Sequence, residues 1–233
     1  MESQENENPT SGLPFVLTPE EARVLGCLLE KEIATPEYYP MTLNALTNAC
    51  NQKSNRRPVM TLETDDVNEA LDALREKKLA VIVSVADSRV PKFKRLTEIL
   101  GDPGLAQRAV LCELLVRGPQ TAGELRTRCE RLRPFVDIAE VEKVLVELEE
   151  APPGPLVMKL PRQPGRKESR YTQLLTGEPD PVAEPEEERE AVAASTRASL
   201  QGRMETLEKD VAELRAENAA IKEEFERFRR QFE

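Results

Sequence analysis

An internal repeat limits the possible folds of this chain more than any other feature of the sequence. Three helical patterns, each with apolar residues three or four positions apart, occur once in residues 14–98 and again in residues 99–176. The matched positions are Val24, Leu25, Leu28 and Leu29 with Val110, Leu111, Leu114 and Leu115; Thr42, Leu46 and Cys50 with Thr121, Leu125 and Cys129; and Val67, Leu71 and Leu74 with Val141, Leu145 and Leu148. The repeat predicts two small domains, each with three short helices.

A predicted β-hairpin follows each set of three helices. In the first copy, residues 79–85 and 90–96 are rich in β-branched side chains, and in the second, residues 156–160 and 169–174 flank a Pro-Gly tip. Three helices followed by a two-stranded wing is the order of a winged helix-turn-helix domain. We therefore predict a mainly α fold with small β-wings (α+β) and two such domains in tandem. A ferredoxin-like or other mixed α+β fold fits less well, because it interleaves strands between the helices.

The predicted helices begin with capping signals. Glu21 and Glu124 stand three residues after a threonine, which is the spacing of a capping box. The predicted N-cap residues are Thr18, Thr42, Thr64 and Thr121.

Two surface segments, residues 34–40 and 51–58, are present only in the first copy. Long connections in a small domain are either functional or disordered. Residues 51–58 are rich in amide, hydroxyl and guanidinium groups and lack glycine, which suits recognition. A structural Ω-like loop explains this segment equally well.

Several strings in the sequence resemble a known family. They are LTPEEARVLGCLLEKEIATPEYYPMTLNALTNACNQKSNR, then SRVPKFKRL, then LVRGPQTAGELRTRCERL, in that order. Together they resemble the YceH-like family of bacterial proteins across residues 13–175. The resemblance implies a tandem winged-helix fold and a bacterial cytoplasmic setting. It implies no reaction, cofactor or site residue.

The net charge of −10 lies outside the repeat, because residues 16–176 contain 24 Lys+Arg and 24 Asp+Glu. Basic side chains are concentrated in the wings and in the segment 51–58, where they would bind nucleic-acid phosphates. The predicted contacts are Lys53, Arg56, Arg57, Arg89, Lys92, Lys94, Arg95, Arg162, Arg166, Lys167 and Arg170. The third helix of each copy is acidic instead and opens at Asp65-Asp66 or at Asp137. Its carboxylates would repel phosphate, which favours contact through wings and loops over major-groove readout.

Two classes of function remain open. The first is a non-enzymatic, regulatory protein that binds the DNA or RNA backbone; the alternative is a protein-docking scaffold that does not bind nucleic acid directly. An enzyme is disfavoured, because the chain has no histidine and shows no nucleophile–base pair, phosphate-cradling glycine loop or metal cluster. The cysteines are widely spaced among apolar neighbours, so we expect them to be buried, with no metal or cofactor. They are Cys27, Cys50, Cys112 and Cys129.

Polar segments flank the repeat. Residues 1–13 are polar and acidic, unlike a secretory signal, and predict a disordered tail on a cytoplasmic protein without membrane association. Residues 177–190 combine proline with a run of carboxylates and predict an extended linker. Folding of this linker back onto the basic wings is the alternative.

Residues 191–233 carry a heptad pattern that predicts a coiled coil. Charges at the flanking positions have opposite signs across a parallel pair, as for Arg203 with Glu208, so we predict a parallel homodimer. A single amphipathic helix folded onto the body explains the apolar stripe but not these charges. The predicted dimer contacts are Leu200, Leu207, Leu214, Ile221 and Phe228 at d, and Met204, Val211, Asn218, Phe225 and Phe232 at a.

Overall fold

The computed structural model of the chain describes residues 12–84, 90–162 and 168–179. The predicted linker, from residue 180 onward, and the whole predicted coiled coil with its dimer contacts lie outside the described residues. Most of the predicted tail lies outside them too, but Leu13 at its end is buried.

The described part is an α+β structure with six α-helices and small antiparallel sheets. Short 3₁₀ turns occur at Pro36–Tyr38, Glu98–Leu100 and Cys129–Arg131. The helices are α1 (Pro19–Ala34), α2 (Leu43–Cys50), α3 (Thr64–Glu76), α4 (Leu105–Arg117), α5 (Ala122–Arg128) and α6 (Ile138–Glu149). The strands are β1 (Met41–Thr42), β2 (Ala80–Val83), β3 (Lys92–Arg95), β4 (Val157–Lys159) and β5 (Tyr171–Gln173).

The same order of elements occurs twice along the chain. In the first half, β1 lies between α1 and α2, and the sheet has the order β1-β3-β2 with Phe93 paired to Met41 on one side and to Ile82 on the other. In the second half, β4 pairs with β5, and an isolated bridge between Gln120 and Tyr171 takes the place of β1. Three helices with a small antiparallel wing are compatible with a winged helix. The predicted helices and hairpins are confirmed as elements.

The predicted caps largely hold. Thr18 and Thr121 form complete capping boxes, and the Thr42 side chain accepts a hydrogen bond from the backbone of Ala45. The third helix differs by one residue: Glu63 is its N-cap, and Thr64 is its first helical residue. Asp66 accepts the bond from the backbone N–H of Glu63 at 2.7 Å, so an acidic box replaces the expected threonine cap.

The described residues up to 179 belong to one compact unit, in which the first helix of each half packs against the other. The two helices pack closely at Gly26, where an added Cβ would lie 2.7 Å from Cγ1 of Val116. The Cys112 thiol donates to the Gly26 carbonyl at 3.4 Å. Every residue of α4 from 109 to 116 is buried, because both halves cover this helix. The predicted burial of all four cysteines is confirmed.

Candidate nucleic-acid interface

Two predicted contacts, Lys92 and Lys94, lie on the outer face of the first wing. Strand β3 alternates, so Phe93 between them is buried while Lys94 is exposed and Lys92 is half-buried. The cross-strand partners of the two lysines are Val83 and Val81. The lysine stems therefore cover a partly apolar strand surface while their ammonium groups reach solvent.

Three further predicted contacts are accessible. Lys53 and Arg162 are exposed, and Arg57 is half-buried. Within the part of the chain that the structure describes, no carboxylate forms a salt bridge with any of these three or with the two lysines of β3. These five cations are accordingly available to an outside anion.

Arg56 is not a surface cation, and the structure removes it from the predicted contacts. Its side chain is fully buried and its Nη2 lies 2.5 Å from Oε2 of Glu30, which is buried as well. Its Nη1 donates to the other Glu30 oxygen at 3.3 Å, and its Nε donates to the carbonyl of Ala49 at 3.0 Å. The guanidinium is thereby held inside the protein and cannot reach phosphate.

Glu30 is the centre of a buried charge network that joins the two halves. Arg131, from the second half of the chain, also donates to its Oε1. Burial raises the pKa of the Glu30 carboxyl, but the hydrogen bond and charge of Arg56, together with the charges of Arg131 and Lys31, outweigh it and lower the pKa overall. Glu30 is therefore ionised at neutral pH and holds cations from both halves.

The segment 51–58 is consequently a structural loop. Its first residue closes it, since the Asn51 amide donates to the carbonyl of Leu62 and accepts from its N–H, both at 2.8 Å. The backbone N–H of Arg57 donates to the carbonyl of Val116 at 2.8 Å, which attaches the loop to α4. Of the two interpretations of this segment, a recognition segment or a structural Ω-like loop, the second explains these hydrogen bonds. Lys53 and Arg57 remain on its surface.

Arg95 is also held within the protein. Its Nε lies 2.6 Å from a Glu32 oxygen, its Nη1 donates to the hydroxyl of Thr97, and its backbone N–H donates to the Tyr39 hydroxyl at 2.7 Å. Its side chain is only 11% exposed. The prediction that Arg95 contacts phosphate is therefore wrong. This residue instead attaches the wing to α1.

The remaining predicted contacts are in the second wing or at the tip of the first. Arg170 lies 4.0 Å from Glu124 and is partly committed to that carboxylate. Three predicted contacts lie outside the described residues, namely Arg89, Arg166 and Lys167.

The third helix of each half presents carboxylates to solvent. On α3, Asp65, Asp66, Glu69 and Asp72 are exposed. On α6, Glu142 and Glu147 are exposed as well. Carboxylates in the first turn stabilise a helix through its dipole, which accounts for some of them. Their exposure agrees with the expectation that these helices would repel phosphate.

Sequence reasoning missed the buried charges Glu30 and Glu113. Glu30 lies seven residues after the buried Arg23 and three after Cys27, on the apolar side of α1. Glu113 similarly lies next to Cys112 in an otherwise apolar stretch of α4. A carboxylate on an apolar helix stripe is the signal that was available, because buried acids require cationic partners.

Among the described residues, no helix has both the length and the apolarity that crossing a bilayer requires.

Comparison with known proteins identifies the family. Residues 17–166 match the family described as "Protein of unknown function, DUF480", so the chain belongs to it, which confirms the family predicted from sequence. A UPF0502 protein of Geobacter sulfurreducens is 54% identical over 225 residues, covering 95% of this chain and 100% of that protein. A UPF0502 protein of Geobacter metallireducens is 56% identical over 94% of this chain and 99% of its own length, and one of Vibrio parahaemolyticus is 49% identical over 90% and 96%.

Proposed function

We propose that this member of the DUF480 family is a non-enzymatic, cytoplasmic protein with two tandem winged-helix domains that binds the phosphate backbone of DNA or RNA. Lys92 and Lys94 on the face of the first wing are the main contacts, and Lys53, Arg57 and Arg162 are further contacts. A regulatory role follows if this binding occurs at defined sites.

The observation that carries the proposal is the outer face of β3. Lys92 and Lys94 stand two positions apart on one side of the strand, about 7 Å along it. Neither forms a salt bridge with a described residue, in contrast to Arg56 and Arg95, which are neutralised inside the protein. Ammonium groups that keep their charge at the surface bind phosphate and release its counterions.

A salt titration of binding to generic duplex DNA and RNA tests the proposal. The logarithm of the binding constant should fall linearly with the logarithm of salt concentration, by about 0.9 per phosphate contact. The double variant Lys92→Gln/Lys94→Gln should bind more weakly at low salt and make the slope shallower by about 2.

Lys143→Gln is the matched control. This change also removes one lysine charge, but Lys143 is 78% exposed on the acidic helix α6, 4.0 Å from Glu147. Its salt slope should equal that of the parent protein. A chain that binds neither duplex at low salt, or a wing variant with an unchanged slope, would refute backbone binding through the wing.

A protein-docking scaffold is the alternative, and the surface around α6 favours it. Val136 is 83% exposed, and Ile138 and Val146 are 46% and 48% exposed. Apolar side chains among the carboxylates of this helix suit a partner with a basic rim and an apolar centre. The double variant Val136→Ser/Val146→Ser should then lose binding to a protein partner and keep its duplex binding unchanged.

We further propose that two copies associate through a parallel coiled coil of residues 191–233. The support is the heptad pattern together with relatives whose similarity extends into this part of the chain. The Geobacter sulfurreducens protein covers 95% of the 233 residues and so leaves about 12 uncovered, fewer than residues 180–233 contain. A dimer would present two copies of the first wing to one nucleic acid and increase its effective affinity.

A further inference from the structure

A pocket of about 410 Å³ opens where the loop 51–58 meets the second half of the chain. Its walls come from that loop, from the end of α4, and from the end of α5 with the 3₁₀ turn after it. The lining residues are Asn55, Arg117, Thr127, Arg128, Glu130 and Arg131. Three guanidinium groups and one exposed carboxylate therefore face the same space.

Neighbours hold two of these guanidinium groups in place. Arg117 donates through Nη2 to the side-chain oxygen of Asn55 at 2.6 Å. Arg128 donates through Nη1 to Gln120 at 2.7 Å and through Nη2 to Glu124 at 3.2 Å. A guanidinium has five N–H groups, so each of the two keeps donors that no described residue uses. Their orientation is fixed before any ligand arrives.

Arg131 is held by buried carboxylates behind the pocket. It donates to Glu30 and lies 3.6 Å from Oε1 of Glu113. Arg117 Nε lies 2.7 Å from Oε2 of Glu113. Within the described part of the chain, however, neither Glu113 oxygen accepts an aligned hydrogen bond. Glu113 thus compensates the arginines only in part.

The three guanidinium groups of the pocket repel one another. Burial lowers the pKa of the Arg117 guanidinium, and the charges of Arg128 and Arg131 lower it further, against the opposing effect of Glu113. Burial also raises the pKa of the Glu113 carboxyl, although the charges of Arg117 and Arg131 oppose this effect. An added anion would relieve the mutual repulsion of the three guanidinium groups.

We propose that this pocket binds a phosphate group through Arg117, Arg128 and Arg131. Guanidinium groups match phosphate oxygens through paired N–H donors, and three of them suit a dianion better than a carboxylate. The volume lies in the range of ordinary small-ligand sites, so the phosphate can belong to a small ester such as a mononucleotide. It can also belong to a nucleic-acid backbone, whose phosphodiester carries a single negative charge.

This inference goes beyond the wing-mediated binding proposed above, because the two sites share no residue. The wing uses Lys92 and Lys94 on β3, and the pocket uses arginines of α4, α5 and the following turn. The pocket also joins Asn55 of the first half to the second half. A phosphate bound there should hold the halves together and oppose unfolding.

Thermal unfolding of the full chain with inorganic phosphate, against sodium chloride of equal ionic strength, tests the proposal. Phosphate at roughly 100 times its Kd should raise Tm by about 5 °C or more. Arg128→Gln should bind phosphate about tenfold more weakly or worse, because it removes charge-assisted hydrogen bonds. Arg128→Lys keeps the charge and should lose less. If Arg128→Gln has a low Tm without phosphate, the loss of phosphate binding is measured in Arg128→Lys instead.

Two controls separate this site from the wing. Lys143→Gln and Lys92→Gln/Lys94→Gln should show the full phosphate shift, even where the second has lost duplex binding. No phosphate-induced rise in the Tm of the parent protein would overturn the proposal. A rise in both Arg128 variants as large as in the parent protein would overturn it as well. Failure of duplex binding alone leaves the phosphate shift intact, so the two proposals fail separately.

A competition experiment identifies the source of the phosphate. Adenosine monophosphate bound in the pocket is followed by ³¹P line broadening while a short duplex is added. Displacement, with weaker duplex binding by Arg128→Gln, assigns the pocket to backbone phosphate. Broadening that persists under saturating duplex assigns it to a small phosphate ester. The absence of broadening in the parent protein would argue against the site.

Discussion

Arg56 on the loop 51–58 and Glu30 on α1 form an ion pair with 2.5 Å between Nη2 and Oε2, and neither side chain is exposed. Twenty-six positions separate them in the chain. Burial makes the pair expensive to break, since removing one member leaves the other charged and uncompensated. The pair therefore fixes the loop against the helix more firmly than a surface pair would.

Glu30→Gln should destabilise the fold by about 3–5 kcal/mol, because the buried Arg56 loses its counterion and Arg131 loses one of its two. Arg56→Met should be destabilising for the same reason. The double variant Glu30→Gln/Arg56→Met should cost less than the sum of the single changes, because it leaves fewer unpaired charges. Urea unfolding of the four proteins measures this coupling. Additive effects would show that the two side chains do not act as a pair.

Gly26→Ala should destabilise the protein by about 1–3 kcal/mol, although alanine favours a helix over glycine. The new methyl would lie 2.7 Å from Cγ1 of Val116 and force α1 away from α4. Gly123→Ala is the same change in α5, where an added Cβ meets nothing closer than 3.9 Å. It should leave stability unchanged or raise it by up to about 1 kcal/mol. Thermal unfolding compares the two, and equal effects would contradict the close approach at Gly26.

Glu30 and Glu113 should give opposite pH dependences of stability. Burial raises the folded-state pKa of Glu113 above its ordinary value of 4.5, so the folded chain holds this proton more tightly than the unfolded chain. Its contribution to stability is then lost as pH rises through the interval above 4.5. For Glu30 the pKa is lowered, so its contribution is present above 4.5 and is lost as pH falls toward the folded-state pKa.

Urea unfolding of Glu113→Gln and Glu30→Gln at several pH values measures both dependences. Relative to the parent protein, Glu113→Gln should gain stability as pH increases above about 4.5, and Glu30→Gln should lose stability as pH increases toward that value. If the free energy of unfolding relative to the parent protein changed with pH in the same way for both variants, Arg117 and Arg131 would neutralise Glu113 as completely as Arg56 neutralises Glu30.

The full chain should sediment as a dimer, and a chain that ends near residue 185 should sediment as a monomer, because it lacks the heptads. Asn218→Leu in the full chain should bind its partner more tightly but with a less defined number of strands, since an asparagine at a favours one register and a pair. Sedimentation equilibrium measures the oligomeric state and the strength of association of these proteins. A dimeric truncated chain would place the interface in the body instead.

Much of the fold could be predicted because it rests on local periodicity. The repeated stripes, such as Leu28-Leu29 and Leu114-Leu115, lie in α1 and α4 as predicted and are buried. The start of the third helix was placed one residue late, since the capping rules favour Thr64, whereas in the structure the Asp66 side chain accepts from the N–H of Glu63. Helix ends depend on such near-equal choices.

The candidate site was predicted less well, because basic composition does not reveal which cations are already paired. Arg56 pairs with a glutamate far away in sequence, which no local pattern indicates. The inward orientation of the Arg95 side chain could have been inferred from the sequence. It stands two positions after Phe93 in β3, on the face that the alternation of the strand turns inward, whereas Lys92 and Lys94 lie on the other face.

The continuous burial of α4 from 109 to 116 has a consequence for the history of the chain. If the repeat arose by duplication, a single ancestral copy would have exposed part of this helix to water. Surface residues of that copy would have become interior ones, and Glu30 on α1 now accepts a hydrogen bond from Arg131 of the other copy. The two copies would thereby have become interdependent, so that deletion of either one would unfold the other.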